Sequence, residues 1–273
     1  MPSPNCLAPD KLFRLLGRPD TPALIDVRSK EDAGADPRLV PGARRLAAED
    51  VAAWGPALAG RPAVVICAEG HARSQGVAAW LRSAGGRAET LEGGHAAWRA
   101  AGLPLVPVAR IPPRGPDGAT LWVTRARPKI DRIACPWLIR RFVDPAARFL
   151  YVAPAEVTAV AERFGATPFD IDAAIFWTHR GERCSFDVMV EEFGLGIEPL
   201  LRLATIVRGA DTARPDLAPE APGLLAASLG LSRMYADDLE QLEAGMLLYD
   251  AFYRWCRDAV AETHNWPSNQ VTA

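Results

Sequence analysis

The chain has 273 residues, 49% of them hydrophobic and 23% charged, which is enough for two packed domains and too apolar for a disordered chain. A net charge near −2 argues against general nucleic-acid binding, and the five scattered cysteines (Cys6, Cys67, Cys135, Cys184, Cys256), with no CxxC pair, form neither a disulfide framework nor a zinc knuckle. No apolar leader follows Met1 and no run of 18 apolar residues occurs, so the expectation is a soluble, cytoplasmic protein with reduced thiols.

In chain order, APDKLFRLL reads as a short helix and PALIDVR as a buried strand. DVAAW opens a short helix, and PAVVIC is a second strand. SQGVAAWLRSAG is a helix closed by a Gly pair, RAETLEGG holds a third strand, and HAAWRAAG is a last short helix. This alternation predicts a mostly parallel α/β sheet. LPLVPVARIPPRGPDGAT, residues 103–120, is rich in proline and reads as an extended linker. We therefore expect domains at 1–108 and 120–273, with a linker at 109–119. In the second half LWVTR, RFLYV and AIFWTH look like strands among several helices, an α+β domain rich in helix. In its last helix, Leu239, Leu242, Met246, Tyr249, Phe252, Tyr253 and Cys256 keep a three-four spacing, so one face is buried.

The stretch AVVICAEGHARSQG runs a buried strand into Cys67 and then through small and polar residues to a helix. A tight strand-to-helix loop points backbone N–H groups inward, and the positive end of the helix favours an anion there. A cysteine at its base is a candidate nucleophile in its thiolate form. Arg73 adds charge at the mouth, Ser74 is placed to cap the helix, and His71 is either exposed or a further polar group at the rim. Asp26 and Arg28 read as a structural pair, and His95, after Gly93-Gly94, as part of a tight turn.

Four blocks in order, ALIDVRS, VPGARRL, VVICAEGHARS and LEGGHAAWRAAGLPL, resemble the rhodanese domain over about residues 8–108. The resemblance implies a doubly wound parallel sheet and sulfurtransferase activity. Cys67 would take sulfur from a donor such as thiosulfate, become a persulfide and pass the sulfur to a thiol acceptor. Arg73 is carried over beside it, and Ala68, Glu69, Gly70, His71 and Ala72, with Ser74 beyond Arg73, form the substrate-binding loop. Here the arginine lies six residues after the cysteine, where the family often has its basic residue at five. The C-x5-R-S pattern also resembles cysteine-dependent phosphatases and arsenate reductases, although Ile66 stands where those phosphatases have histidine. A non-catalytic oxyanion or redox sensor is the third reading.

In the second half, Arg125, Arg127, Lys129 and Arg132 fall within eight residues and are candidate oxyanion ligands, or else a solvated basic edge. His179, Asp187, Glu191 and Asp211 are candidate ligands for a divalent iron, manganese or zinc ion, against a reading as ordinary salt bridges and caps. Cys135 and Cys184 read as structural, with a ligand or redox role as the alternative. RPKIDRIACPWLIRRFVDP, GATPFDID, THRGERCSFD, IVRGADT and the YDAFYRWCRD helix resemble the C-terminal domain of the chromate-resistance protein B family over about residues 120–262. That resemblance implies an association with chromate resistance; read with the residues above, this half is expected to bind chromate or another tetrahedral oxyanion, or a metal. Sulfur transfer itself needs no cofactor.

Overall fold

The computed structural model describes residues 5–262; the ends of the expected domains, residues 1–4 and 263–273, lie outside them. In the first half the elements are β1 (Cys6–Leu7), α1 (Pro9–Leu15), β2 (Ala23–Asp26), α2 (Lys30–Ala35), β3 (Arg38–Leu39), β4 (Ala43–Arg45), α3 (Val51–Trp54), β5 (Ala63–Ile66), α4 (Ala72–Ser83), β6 (Ala88–Leu91) and α5 (Gly94–Ala100). Five strands form a parallel sheet in the order β1-β6-β5-β2-β4, with Leu24 opposite Val64 and Val65 opposite Thr90. Its central strands are continuous apolar runs because both faces are covered. Leu24, Val64 and Ile66 pack with Leu12 of α1 and Trp98 of α5. Ala23, Ile25, Val65 and Cys67 point the other way, onto Val77, Ala78 and Leu81 of α4. The sheet is therefore doubly wound.

The proline-rich stretch is less extended than its composition suggests. Leu105 and Val106 are buried, and β7 (Val106–Pro107) pairs antiparallel with β3, so the chain returns to the first half before it leaves. The second half holds β8 (Leu121–Arg125), α6 (Asp131–Leu138) continued by a π-helical turn at Ile139–Val143, β9 (Arg148–Val152), α7 (Val157–Phe164) and β10 (Thr167–Pro168). The three strands form a parallel sheet in the order β10-β8-β9. The helices α8 (Ser185–Glu192), α9 (Glu198–Asp211), α10 (Ala221–Met234) and α11 (Asp238–Asp258) follow. On α11, Leu242, Met246, Tyr249, Tyr253 and Cys256 are buried, whereas Leu239 is half exposed and leaves the expected stripe.

AIFWTH is not a strand. It makes only an isolated bridge, Phe169 to Trp177, and its apolarity reflects Trp177 stacked on Phe193 with ring centroids 4.7 Å apart. The two halves share one core. Leu12, Leu16 and Trp98 belong to the same buried cluster as Trp137, Phe142, Tyr249 and Tyr253. Gly17 sits where a Cβ would be 2.5 Å from the Phe142 ring and 2.6 Å from that of Tyr253. The Gly42 N–H donates to the Phe142 carbonyl at 2.6 Å.

Candidate functional site

The first site is the loop after β5. Cys67, 5% exposed, immediately follows that strand, and α4 begins at Ala72, two residues earlier than the sequence suggests. Arg73 and Ser74 therefore lie in the first helical turn, and His71, whose side chain makes no capping bond, occupies the cap position expected of Ser74. Ser74 does something else. Its Oγ lies 3.0 Å from the Cys67 Sγ and donates to the His71 carbonyl at 3.2 Å. The hydroxyl proton can turn to the sulfur when that becomes a thiolate.

The back of the loop is fixed by the start of α5. The His95 N–H donates to the Cys67 carbonyl and the Ala96 N–H to the Ala68 carbonyl, both at 2.9 Å. In a trans peptide the N–H points opposite the C=O. The amides of Ala68 and Glu69 are thus turned away from α5. Backbone amides beside a helix N-terminus favour an anion. This close approach requires Gly94, at φ +59°, where a Cβ would lie 2.4 Å from the Cys67 carbonyl oxygen.

The loop's charged groups are arranged less simply than the sequence suggests. Arg73 pairs with Glu49 at 2.9 Å and leans toward the Val27 carbonyl at 3.5 Å. His71 is exposed, 3.6 Å from Glu69. Arg73 and Glu49 line a cleft of about 660 Å³ with Arg28, Lys30 and Arg45, a predominantly basic surface beside the loop. Arg28 itself is buried. It bonds Asp26 at 2.8 Å and donates to the carbonyls of Asp36 and Arg38 at 2.9 and 2.7 Å. His95 reaches the same Arg38 carbonyl at 3.1 Å, and burial lowers the imidazole's tendency to take a proton.

The second site lies in the other half. His179 Nε2 is 3.3 Å from Asp170, 3.3 Å from Asp211 and 3.5 Å from Asp131. These three hydrogen-bonded carboxylates, Asp131 foremost, raise the pKa of His179 to about 12. Burial, followed by the charge of Asp211, raises that of Asp131 to about 7. The four side chains come from the first residue of α6, the loop after β10, the loop before α8 and the last residue of α9. Asp131 accepts from the Ser185 N–H at 2.5 Å and the Phe186 N–H at 3.3 Å, capping α8, and the Ser185 hydroxyl donates to Asp170 at 2.7 Å.

Of the expected metal ligands, only His179 and Asp211 meet. Asp187 instead pairs with Arg208 at 2.9 Å and caps α8 through the Cys184 N–H, while Glu191 pairs with Arg183 at the surface. Asp131 and Asp170 were missed, and their signal was an acid set inside otherwise apolar segments. The basic cluster also divides. Arg125 and Arg132 reach Asp170 at 3.5 and 3.4 Å and line a cleft of about 480 Å³ with Asp172, His179 and Asp211. Arg127 is committed to carbonyls of α10 and the turn before α11, and Lys129 is exposed. Cys135 and Cys184 are buried, and burial holds both thiols well above their ordinary range.

Comparison with known proteins adds the families. Residues 8–101 match the rhodanese-like domain, and residues 122–256 match the C-terminal domain of ChrB. Protein ChrB of Cupriavidus metallidurans is 38% identical over 156 residues, 56% of this chain and 46% of that protein, so the chain spans about half the length of this relative. Among solved structures, a rhodanese-related protein of Thermoplasma volcanium is 20% identical, covering 37% of this chain and 97% of its own, with a TM-score of 0.33. A thiosulfate sulfurtransferase of Pseudomonas aeruginosa is 25% identical, covering 38% and 19%, with a TM-score of 0.34. No helix among the described residues is long and apolar enough to cross a membrane. The chain thus joins a member of the rhodanese-like domain family, residues 8–101, to a member of the ChrB C-terminal domain family, residues 122–256.

Proposed function

We propose that the first half is a thiosulfate-type sulfurtransferase working through a Cys67 persulfide, and that it serves chromate resistance together with the second half. The observation that carries this is the pinning of the Cys67 and Ala68 carbonyls on α5, which holds the loop in place between Cys67 and the head of α4. The Cys67 thiolate attacks the outer sulfur of thiosulfate. A new S–S bond forms, the old one breaks, and sulfite leaves with its electron pair. The Ala68 and Glu69 amides and the head of α4 stabilise the anionic donor as it reacts. A thiolate acceptor then attacks the outer persulfide sulfur and returns Cys67 as thiolate. The basic cleft lined by Lys30, Arg45 and Arg73 gathers the anionic donor beside the loop. A phosphatase would need the loop arginine to fork the phosphate, and here Arg73 is occupied by Glu49.

The test is mass spectrometry of the protein after thiosulfate, beside Cys67→Ser. One added sulfur on the Cys67 peptide, removed by cyanide and absent in the variant, is the expected result. An unmodified Cys67 in folded, reduced protein would overturn the reading and favour a sensor that binds anions without turnover.

A further inference from the structure

We propose that Asp131, Asp170 and His179, with Asp211 alongside, form a binding site for one first-row divalent cation of the manganese or ferrous class. The site stands apart from Cys67 and does not depend on sulfur transfer. One atom from each of Asp131, Asp170 and His179 lies within 4.8 Å of the others, and the distances from Nε2 to the three carboxylates are 3.3–3.5 Å. Ligands about 2.1 Å from one ion lie roughly 3.0–3.4 Å apart when neighbouring, depending on geometry. The Nε2 separations to Asp170 and Asp211 fall in that range, and the one to Asp131 lies just beyond it.

Three further observations point to a ligand. Asp131 is fully buried, and its Oδ1 has no hydrogen-bond partner, an expensive state for a carboxylate with nothing to bind. The backbone beside the site is strained at non-glycine residues, Ile130 at φ +40° and Asp170 at φ +49°. The Ile130 turn is held from α11, where the Tyr249 hydroxyl donates to the Ile130 carbonyl at 3.0 Å and the Gln241 amide to the Pro128 carbonyl at 2.6 Å. Strain over-determined in this way is commonest at functional sites. The last observation is access: Asp170, His179 and Asp211 line the 480 Å³ cleft, and the buried Asp131 lies 3.5 Å from His179 Nε2.

The donor set selects the metal class. One imidazole and several carboxylates, with no thiolate, suit manganese or ferrous iron better than the softer copper or a thiolate-bound zinc. Arg125 and Arg132 line the same cleft, and Asp172 pairs with Arg125 there at 3.0 Å.

The test uses tag-free full-length protein stripped with a chelator and titrated with Mn²⁺, followed by loss of the free-ion EPR signal. Saturation at one Mn²⁺ per chain is expected, with affinity reduced at least about tenfold in His179→Gln and in Asp170→Asn. Glu162→Gln, an exposed carboxylate of α7 outside the cleft lining, should bind as wild type. His179 is about half exposed, so its variant should stay folded, and far-UV circular dichroism checks this. Absence of saturable Mn²⁺ or Fe²⁺ uptake by folded wild-type protein would overturn the site. So would equal affinity in both ligand variants. Stoichiometric Zn²⁺ binding without Mn²⁺ or Fe²⁺ binding would overturn the metal class.

Discussion

Replacing Gly94 with alanine probes how the Cys67 loop is built. The added Cβ would stand 2.4 Å from the Cys67 carbonyl oxygen, 2.6 Å from the Gly70 nitrogen and 2.8 Å from the Ala68 carbonyl oxygen. All three are backbone atoms, so no side chain can swing aside. The left-handed backbone at φ +59° costs an L-residue about 1–2 kcal/mol. Forcing packed backbone apart adds about 1–3 kcal/mol. The expected loss of stability is about 2–5 kcal/mol. Gly60→Ala separates the two terms, because Gly60 has φ +81° and nothing within 4 Å of the added carbon. It should lose only the first, about 1–2 kcal/mol. Guanidinium denaturation of both variants gives the difference. Sulfur loading of Cys67 gives the functional consequence. Displacing the loop amides should slow loading at least about tenfold in folded Gly94→Ala and leave Gly60→Ala unchanged. Equal stability losses, or wild-type loading in Gly94→Ala, would refute the account of the loop.

Three other outcomes follow from the same half of the chain. Arg28→Leu strands a buried Asp26 carboxylate and the carbonyls of Asp36 and Arg38, and should cost about 3–5 kcal/mol in urea denaturation; a loss below about 1 kcal/mol would show that water reaches the pair. Glu49→Gln frees Arg73, so half-saturation by thiosulfate should fall about 2–5-fold with kcat unchanged, and an unaltered KM would remove the Arg73–Glu49 pair from donor binding. Arg38, bonded at 2.7 and 2.8 Å, holds the Asp36 carboxyl at about 2. The unfolded chain takes up that proton first, so the contribution is present above about pH 4 and is lost as pH falls toward 2. Asp36→Asn should flatten acid unfolding across that window, and an unchanged profile would rule the pair out as a source of acid sensitivity.

What the sequence made legible follows from how each element is stabilised. β2 and β5 are buried on both faces, so ALID and AVVI are unbroken apolar runs between turn residues. β4, Ala43–Arg45, is an edge strand with only its alanine buried, and two arginines hide it from any pattern. AIFWTH misled in the opposite direction, because Trp177 fills a core without joining a ladder. Cys67 was legible because a motif of local spacing surrounds it. The partners of His179 were not, because positions 131, 170, 179 and 211 converge only through the tertiary fold. Spacing along one helix suggested Asp187 and Glu191, but each had a nearer arginine.

The core shared by the two halves limits how this chain can be recombined. A cut within residues 109–119 would not release two ready-made modules. It would leave Leu12, Leu16 and Trp98 on one piece and Phe142 and Tyr253 on the other, each without the side chains that complete its cluster. Exchange of the first half for a related one would succeed only where the replacement keeps a residue as small as Gly17 against those two rings. The pairing is a fitted joint rather than a tether, and the two halves are therefore constrained to change together.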